Sequence, residues 1–266
     1  MKITRIDLNS WLLQIANQTI LVDPWLVDPL VFYGQPWLFT AYHNTPVAYT
    51  PASLPQVDLI LISQGLDDHC HKPTLEQLDR NIPVVASPTA TSTVKSLGYK
   101  TIVSLAPWQS YTLGNKVEIT AVPGAEVQPG QMENGYVVED REKQTKLYYE
   151  PHLFRPESGI GERFSQVDVA IAPVVEQIFP LLGQVIMGAK EAMKLIETLN
   201  PRFILPNAQG DIRASGILPK FIRTVGSVEE FRQQLIASGM KTELITPEPG
   251  ETVNIELTSF STTERC

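Results

Sequence analysis

Cysteine is almost missing from this chain: among 266 residues only Cys70 and Cys266 occur. Two cysteines build neither a disulfide framework nor a CxxC zinc knot, and their scarcity suits a reducing compartment. Positive charge is short as well. Lys and Arg number 21 against 29 Asp and Glu, giving a net charge of −8 and a pI near 5.1. No basic stripe exists to displace phosphate counterions, so nucleic acid is excluded as a partner. No apolar run is long enough to span a bilayer, and Met1 to Asp7 carries no signal-peptide apolar region. Linkers, internal repeats and low-complexity segments are also lacking. The expectation is a soluble, cytoplasmic protein, a single domain over 1–266, with a small-molecule ligand or substrate and no membrane partner. Oligomeric state is left open.

Histidine is the third scarcity, with four in the chain, and two of these fall in one corner. The stretch Val57 to His71 reads Val-Asp-Leu-Ile-Leu-Ile-Ser-Gln-Gly-Leu-Asp-Asp-His-Cys-His. Leu59 to Ile62 is short, branched and closed by Gly65, which predicts a buried strand. Asp67, Asp68, His69 and His71 follow at once, four candidate ligands or proton carriers within five positions. Chemistry in α/β scaffolds is presented at such strand exits.

The rest of the chain supports an α/β class. Lys2–Asn9, Ser10–Ala16 and Thr19–Val22 alternate as strands, with Asn17-Gln18 as a tight turn. Asp23-Pro24 ends this meander, where Asp23 caps a turn before proline. Residues 29–56, rich in proline and aromatics, read as an ordered loop or short helices that cover the sheet edge or wall a pocket. Helices are predicted from Lys72, over Thr89–Leu97, over Ala189–Leu199, and from the Ser227 capping box to Gly239. Ile82–Ala86, Thr101–Leu105, Ser110–Leu113, Val117–Val122, Gly135–Val138, Lys146–Tyr149, Val167–Ala172, Arg202–Leu205 and Thr252–Leu257 read as strands.

The central stretch resembles the signature of the metallo-β-lactamase superfamily, a strand followed by Thr-His-x-His-x-Asp-His, and in particular its lactonase-like branch related to ascorbate-6-phosphate lactonase. On that pattern Ser63 stands at the threonine, Gln64 and Leu66 at the first two histidines, and Asp68 and His69 at the Asp-His pair. The resemblance covers nearly the whole chain and implies an αββα sandwich of two mixed sheets with helices outside. It also implies further ligand loops. Glu126 falls where a third histidine follows a Val-Pro turn, His152 where a bridging aspartate follows a Tyr-Tyr strand, and Asn207 or Ala208 where the last histidine would stand.

Half of the ligand set is therefore kept and half replaced, and a two-ion centre is not expected. Asp68, His69, Glu126 and His152 remain as the candidate metal set, suited to one zinc, iron or manganese ion. Asp68, His69 and His152 are the candidate catalytic residues. The implied activity is hydrolysis of a small ester, lactone or phosphoester. Two alternatives stand beside it: a non-catalytic metabolite-binding protein on the same fold, and a metal-free enzyme using Asp68, His69, His152 and Glu150. Cys70 reads as a small buried residue or a redox-sensitive thiol.

Overall fold

The computed structural model describes residues 1–128, 131–180 and 182–256. Cys266 and Leu257, the last residue of the expected terminal strand, lie outside them. Two seven-stranded sheets dominate. The first runs in the order 252–254, 2–7, 10–15, 18–22, 59–62, 84–86, 102–104. The second runs 243–244, 203–207, 169–173, 145–149, 131–140, 117–128, 110–113. Each sheet is mixed, with an antiparallel meander on one side and parallel strands on the other.

Local sequence explains the pairings. Ala16 and Asn17 take positive φ (49° and 61°) and Gly114 and Asn115 do likewise (58° and 59°), the backbone that two-residue hairpin turns require. In strand 59–62 all four side chains are inaccessible to solvent. Leu59 and Leu61 enter the core between the sheets, whereas Ile60 and Ile62 enter the cluster on the outer face. A period of two thus operates within an unbroken apolar run, because both faces of the sheet are covered. Leu147 and Tyr149 face inwards from the second sheet, with Tyr148 packed outwards.

Helices 72–75 and 88–96 cover the first sheet, and 189–199 and 228–238 cover the second. The last has Ser227 Oγ accepting from the Glu230 N–H at 3.1 Å and ends at Gly239 in the left-handed region. The result is the expected αββα sandwich. Among the described residues no helix is long and apolar enough to cross a membrane.

The stretch 29–56 differs from expectation. Leu30–Val31 and Thr40–His43 are strands, and they form a small sheet with Ile212–Ser215. The partner strand lies about 170 residues away, so no local pattern announces it. A second small sheet joins Glu176–Phe179, Gly183–Ile186 and Arg223–Val225.

Candidate metal centre

Strand 59–62 delivers the loop 63–71 to one edge of the sandwich. The exit is tight. A Cβ at Gly65 would come within 2.6 Å of the Thr89 carbonyl oxygen, so only glycine lets the loop pass over the start of helix 88–96. Leu66 O then accepts from the His69 and Cys70 N–H groups (3.0 and 2.7 Å), a turn that brings Asp68 and His69 inwards. From the second sheet, the segment after strand 145–149 delivers His152.

Asp68, His69 and His152 converge, each offering one ligand atom, and these atoms lie within 4.8 Å of one another. His69 Nε2 stands 3.2 Å from Asp68 Oδ2 and 3.2 Å from His152 Nε2. Both rings are buried, and the Asp68 side chain is 14% exposed.

The outer nitrogens decide what the inner ones can do. His69 Nδ1 is 2.7 Å from Asp23 Oδ2, and His152 Nδ1 is 3.0 Å from Glu133 Oε2. Each outer N–H donates to a buried carboxylate, which in the neutral ring leaves the Nε2 lone pair facing inwards. Carboxylate-backed imidazoles of this kind are the usual support of metal ligands.

Two inward lone pairs and the Asp68 carboxylate at this spacing favour a positive charge between them, although Asn9 Nδ2 stands 3.2 Å from His69 Nε2 and Gln64 Nε2 3.3 Å from His152 Nε2 as neutral donors. Without a metal, a proton on His69 supplies that charge. Burial opposes it, but Asp68 and Asp23 together raise the His69 imidazole well above its ordinary range. Burial likewise works against the Asp68 carboxylate, yet the neighbouring His69 and His152 hold it below the usual value. Asp68 Oδ1 is buried without a hydrogen-bond partner, as are Asn9 Oδ1 and Gln64 Oε1. Orphaned acceptors beside a lone-pair cluster fit a site made to receive a cation.

The surrounding contacts bind the two sheets to the site. Asp23 accepts from Ser63 N–H (2.8 Å), Ser63 Oγ (2.5 Å) and Tyr149 Oη (2.7 Å) as well as His69. Asn9 Nδ2 donates to Asp68 Oδ2 at 3.2 Å, and Gln64 Nε2 lies 3.2 and 3.3 Å from the two His152 ring nitrogens. Asn207 is held by Trp11 Nε1 at 2.8 Å. Glu150 accepts from Tyr148 Oη and the His152 and Leu153 N–H groups, and burial pushes its carboxyl up to about 7.

Glu126 is not brought into this group. It lies exposed near the end of strand 117–128, 3.9 Å from Arg155 Nη2. The resemblance implied a ligand loop after the Val122-Pro123 turn, with Glu126 on it. Here the strand continues to Gln128, with its register shifting between Pro123 and Glu126. A bulge accommodates the proline, and the returning strand supplies Glu133 instead. Glu133 had no sequence reading, and its signal was faint: Glu133-Asn134 is a polar pair directly ahead of an apolar strand. Asp23 was readable only as Asp-Pro after a buried strand, and Asn9 and Tyr149 carried no signal for the site.

Residues 2–208 match the family model described as the Beta-lactamase superfamily domain. A UPF0173 metal-dependent hydrolase of Caldivirga maquilingensis is 23% identical over 248 residues, covering 92% of this chain and 93% of that one. Among solved structures, the isothiocyanate hydrolase from Delia radicum gut bacteria superposes with a TM-score of 0.73 at 16% identity, over 97% of this chain and 100% of that chain. Igni18, a metallo hydrolase of Ignicoccus hospitalis, gives a TM-score of 0.69 at 18% identity, over 97% and 99%.

Proposed function

The chain belongs to the beta-lactamase superfamily, and from that premise we propose that it is a metal-dependent hydrolase holding one divalent ion with Asp68, His69 and His152. The observation that carries this reading is the pair of imidazoles, each backed by a buried carboxylate, whose inner nitrogens meet 3.2 Å apart beside Asp68. The relatives named as metal-dependent hydrolases support the same reading. The donor set, two nitrogens and one carboxylate, suits zinc, iron or manganese. When bound, such an ion supplies Lewis-acid polarisation of an ester, lactone or phosphoester oxygen and acidifies a water.

The protein's own groups divide the remaining work. Asn9 fixes Asp68 through Oδ2, which leaves the unpartnered Oδ1 to orient a substrate water and accept its proton. Gln64 Oε1 and Asn9 Oδ1 are acceptors in search of donors, and hydroxyl groups on a small polar substrate would satisfy them. This favours a hydroxylated ester, lactone or phosphoester and agrees with the lactonase-like resemblance of the 63–69 motif.

One observation favours a second reading, a metal-free metabolite-binding protein: the raised His69 imidazole lets a proton fill the same centre. Elemental analysis of untagged protein, grown in metal-supplemented medium, separates the two. Metal at no more than one equivalent, lost in His69→Ala and in His152→Ala, supports the hydrolase. Two equivalents, or none with a metabolite co-purifying, overturns it.

A further inference from the structure

Six of the seven exposed large hydrophobic side chains among the described residues, between 41% and 73% exposed, fall on three segments: Tyr33 and Trp37, Leu182, and Ile217, Phe221 and Val225. The backbone joins the first to the third. Ile217 N–H donates to Trp37 O at 3.0 Å and Leu218 N–H to Leu38 O at 2.9 Å. Strand 223–225 pairs with 176–179, with Ile178 opposite Arg223, so the Phe179 end of that strand points towards Phe221. Between Trp37 and Lys220 lies an open cleft of about 650 Å³. Single exposed apolar residues are ordinary on a protein surface, but a contiguous tract marks a contact.

Charge identifies the contact. From Ile212 to Val225 the chain carries Arg213, Lys220 and Arg223, all exposed, and no acidic residue, in a protein whose net charge is −8. Trp, Tyr and Phe rimmed by Lys and Arg suit the boundary between water and hydrocarbon, where rings enter the headgroup layer and cations meet lipid phosphates. A second copy fits poorly. A two-fold contact centred on this segment would set these cations against their counterparts, the carboxylates at the tract's edges being Asp67 beside Tyr33 and Glu176 opposite Val225.

We infer that this tract docks the protein on an anionic lipid surface. Docking of this kind needs no spanning segment, so it is compatible with a chain that has none among its described helices. The tract also borders the 63–71 loop, since Tyr33 N–H donates to Asp67 Oδ2 at 2.7 Å. The loop that carries Asp68 and His69 therefore lies beside the docked face.

The test is co-sedimentation of the full chain with vesicles of phosphatidylcholine alone and of phosphatidylcholine mixed with phosphatidylglycerol. Binding is expected to the mixed vesicles only and to weaken as salt rises. Lys220→Gln with Arg223→Gln is expected to lower partitioning roughly 30-fold, and Trp37→Ala with Phe221→Ser to abolish it, with thermal melting and metal content unchanged in both. Equal binding by wild type and both variants, or none to either vesicle, overturns the inference. So does a wild-type dimer in light scattering that these substitutions dissolve, which would give the tract to a second copy.

Discussion

His69 and His71 stand two residues apart on one loop, both buried, and their environments pull them in opposite directions. His69 lies between Asp23 and Asp68 and is raised well above its ordinary value. His71 is bonded to Thr74 Oγ1 (2.9 Å) and packs edge-on near Trp25, with the Pro29 carbonyl 3.3 Å from its Nε2, and burial lowers it to about 4. Desolvation acts on both rings. Carboxylates in direct contact reverse it at one and are missing from the other. Adjacency in sequence therefore says little about shared function; the difference lies in which strand end each ring meets.

Replacing the two histidines makes the largest contrast. His69→Ala is expected to remove bound metal and any turnover, whereas His71→Ala keeps the metal and lowers stability, read by elemental analysis beside urea denaturation. Next come the carboxylates behind the rings. Asp23→Asn and Glu133→Gln are each expected to weaken metal affinity roughly 10–100-fold in calorimetry, with Asp23→Asn also lowering the melting temperature, because Asp23 has four hydrogen-bond donors around it. Affinity unchanged by either substitution would remove the argument from ring orientation.

Acid sharpens the contrast between the two rings. In metal-free protein the raised His69 contributes stability that is complete below pH 6.5 and lost as pH rises through its folded value. The depressed His71 acts in the opposite sense. It contributes stability present above pH 6.5 and lost as pH falls towards 4, on the order of 3 kcal/mol. His71→Gln is expected to flatten the acid limb of the stability profile while leaving the alkaline one. Because a proton and a metal compete for His69, metal affinity is expected to fall about tenfold per pH unit on acidification below the folded His69 value.

The smallest effect is that of Cys70, which is buried with its thiol pushed up to about 12. Cys70→Ala is expected to keep metal and activity and to cost about 1 kcal/mol, and the native thiol to resist Ellman's reagent until the protein unfolds.

The sandwich was readable because its signals are local. Turns at Asn17 and Gly114-Asn115, caps at Ser227 and Gly239, and the apolar run at 59–62 each act over a few residues. Asp68, His69 and His152 were singled out as candidates, and the structure brings them together. The carboxylates that orient the rings escaped this reading, since Asp23 reaches His69 across 46 positions and Glu133 reaches His152 across 19. Glu126 and Glu133 show where counting along a strand breaks down. Register shifts between Pro123 and Gln128 carry the strand past its expected end, and Glu133 on the returning strand is the carboxylate that arrives at the site. The small sheets each join a short, weakly patterned hairpin, 30–43 or 176–186, to a distant strand within 212–225, and that pairing left no local trace.

Asp23 and His69 lie on segments that leave strands of one sheet, Tyr149 ends a strand of the other and His152 follows it, and they meet through hydrogen bonds and the facing imidazoles. The centre thus exists only while the two halves of the molecule are closed on each other. A ligand bound there works as a rivet, adding to cohesion in proportion to the logarithm of its concentration over its dissociation constant. Chelation is then expected to register far from the site itself, as faster amide exchange along 59–62 and 145–149 together, with the peripheral pairing of 30–31 and 40–43 unmoved.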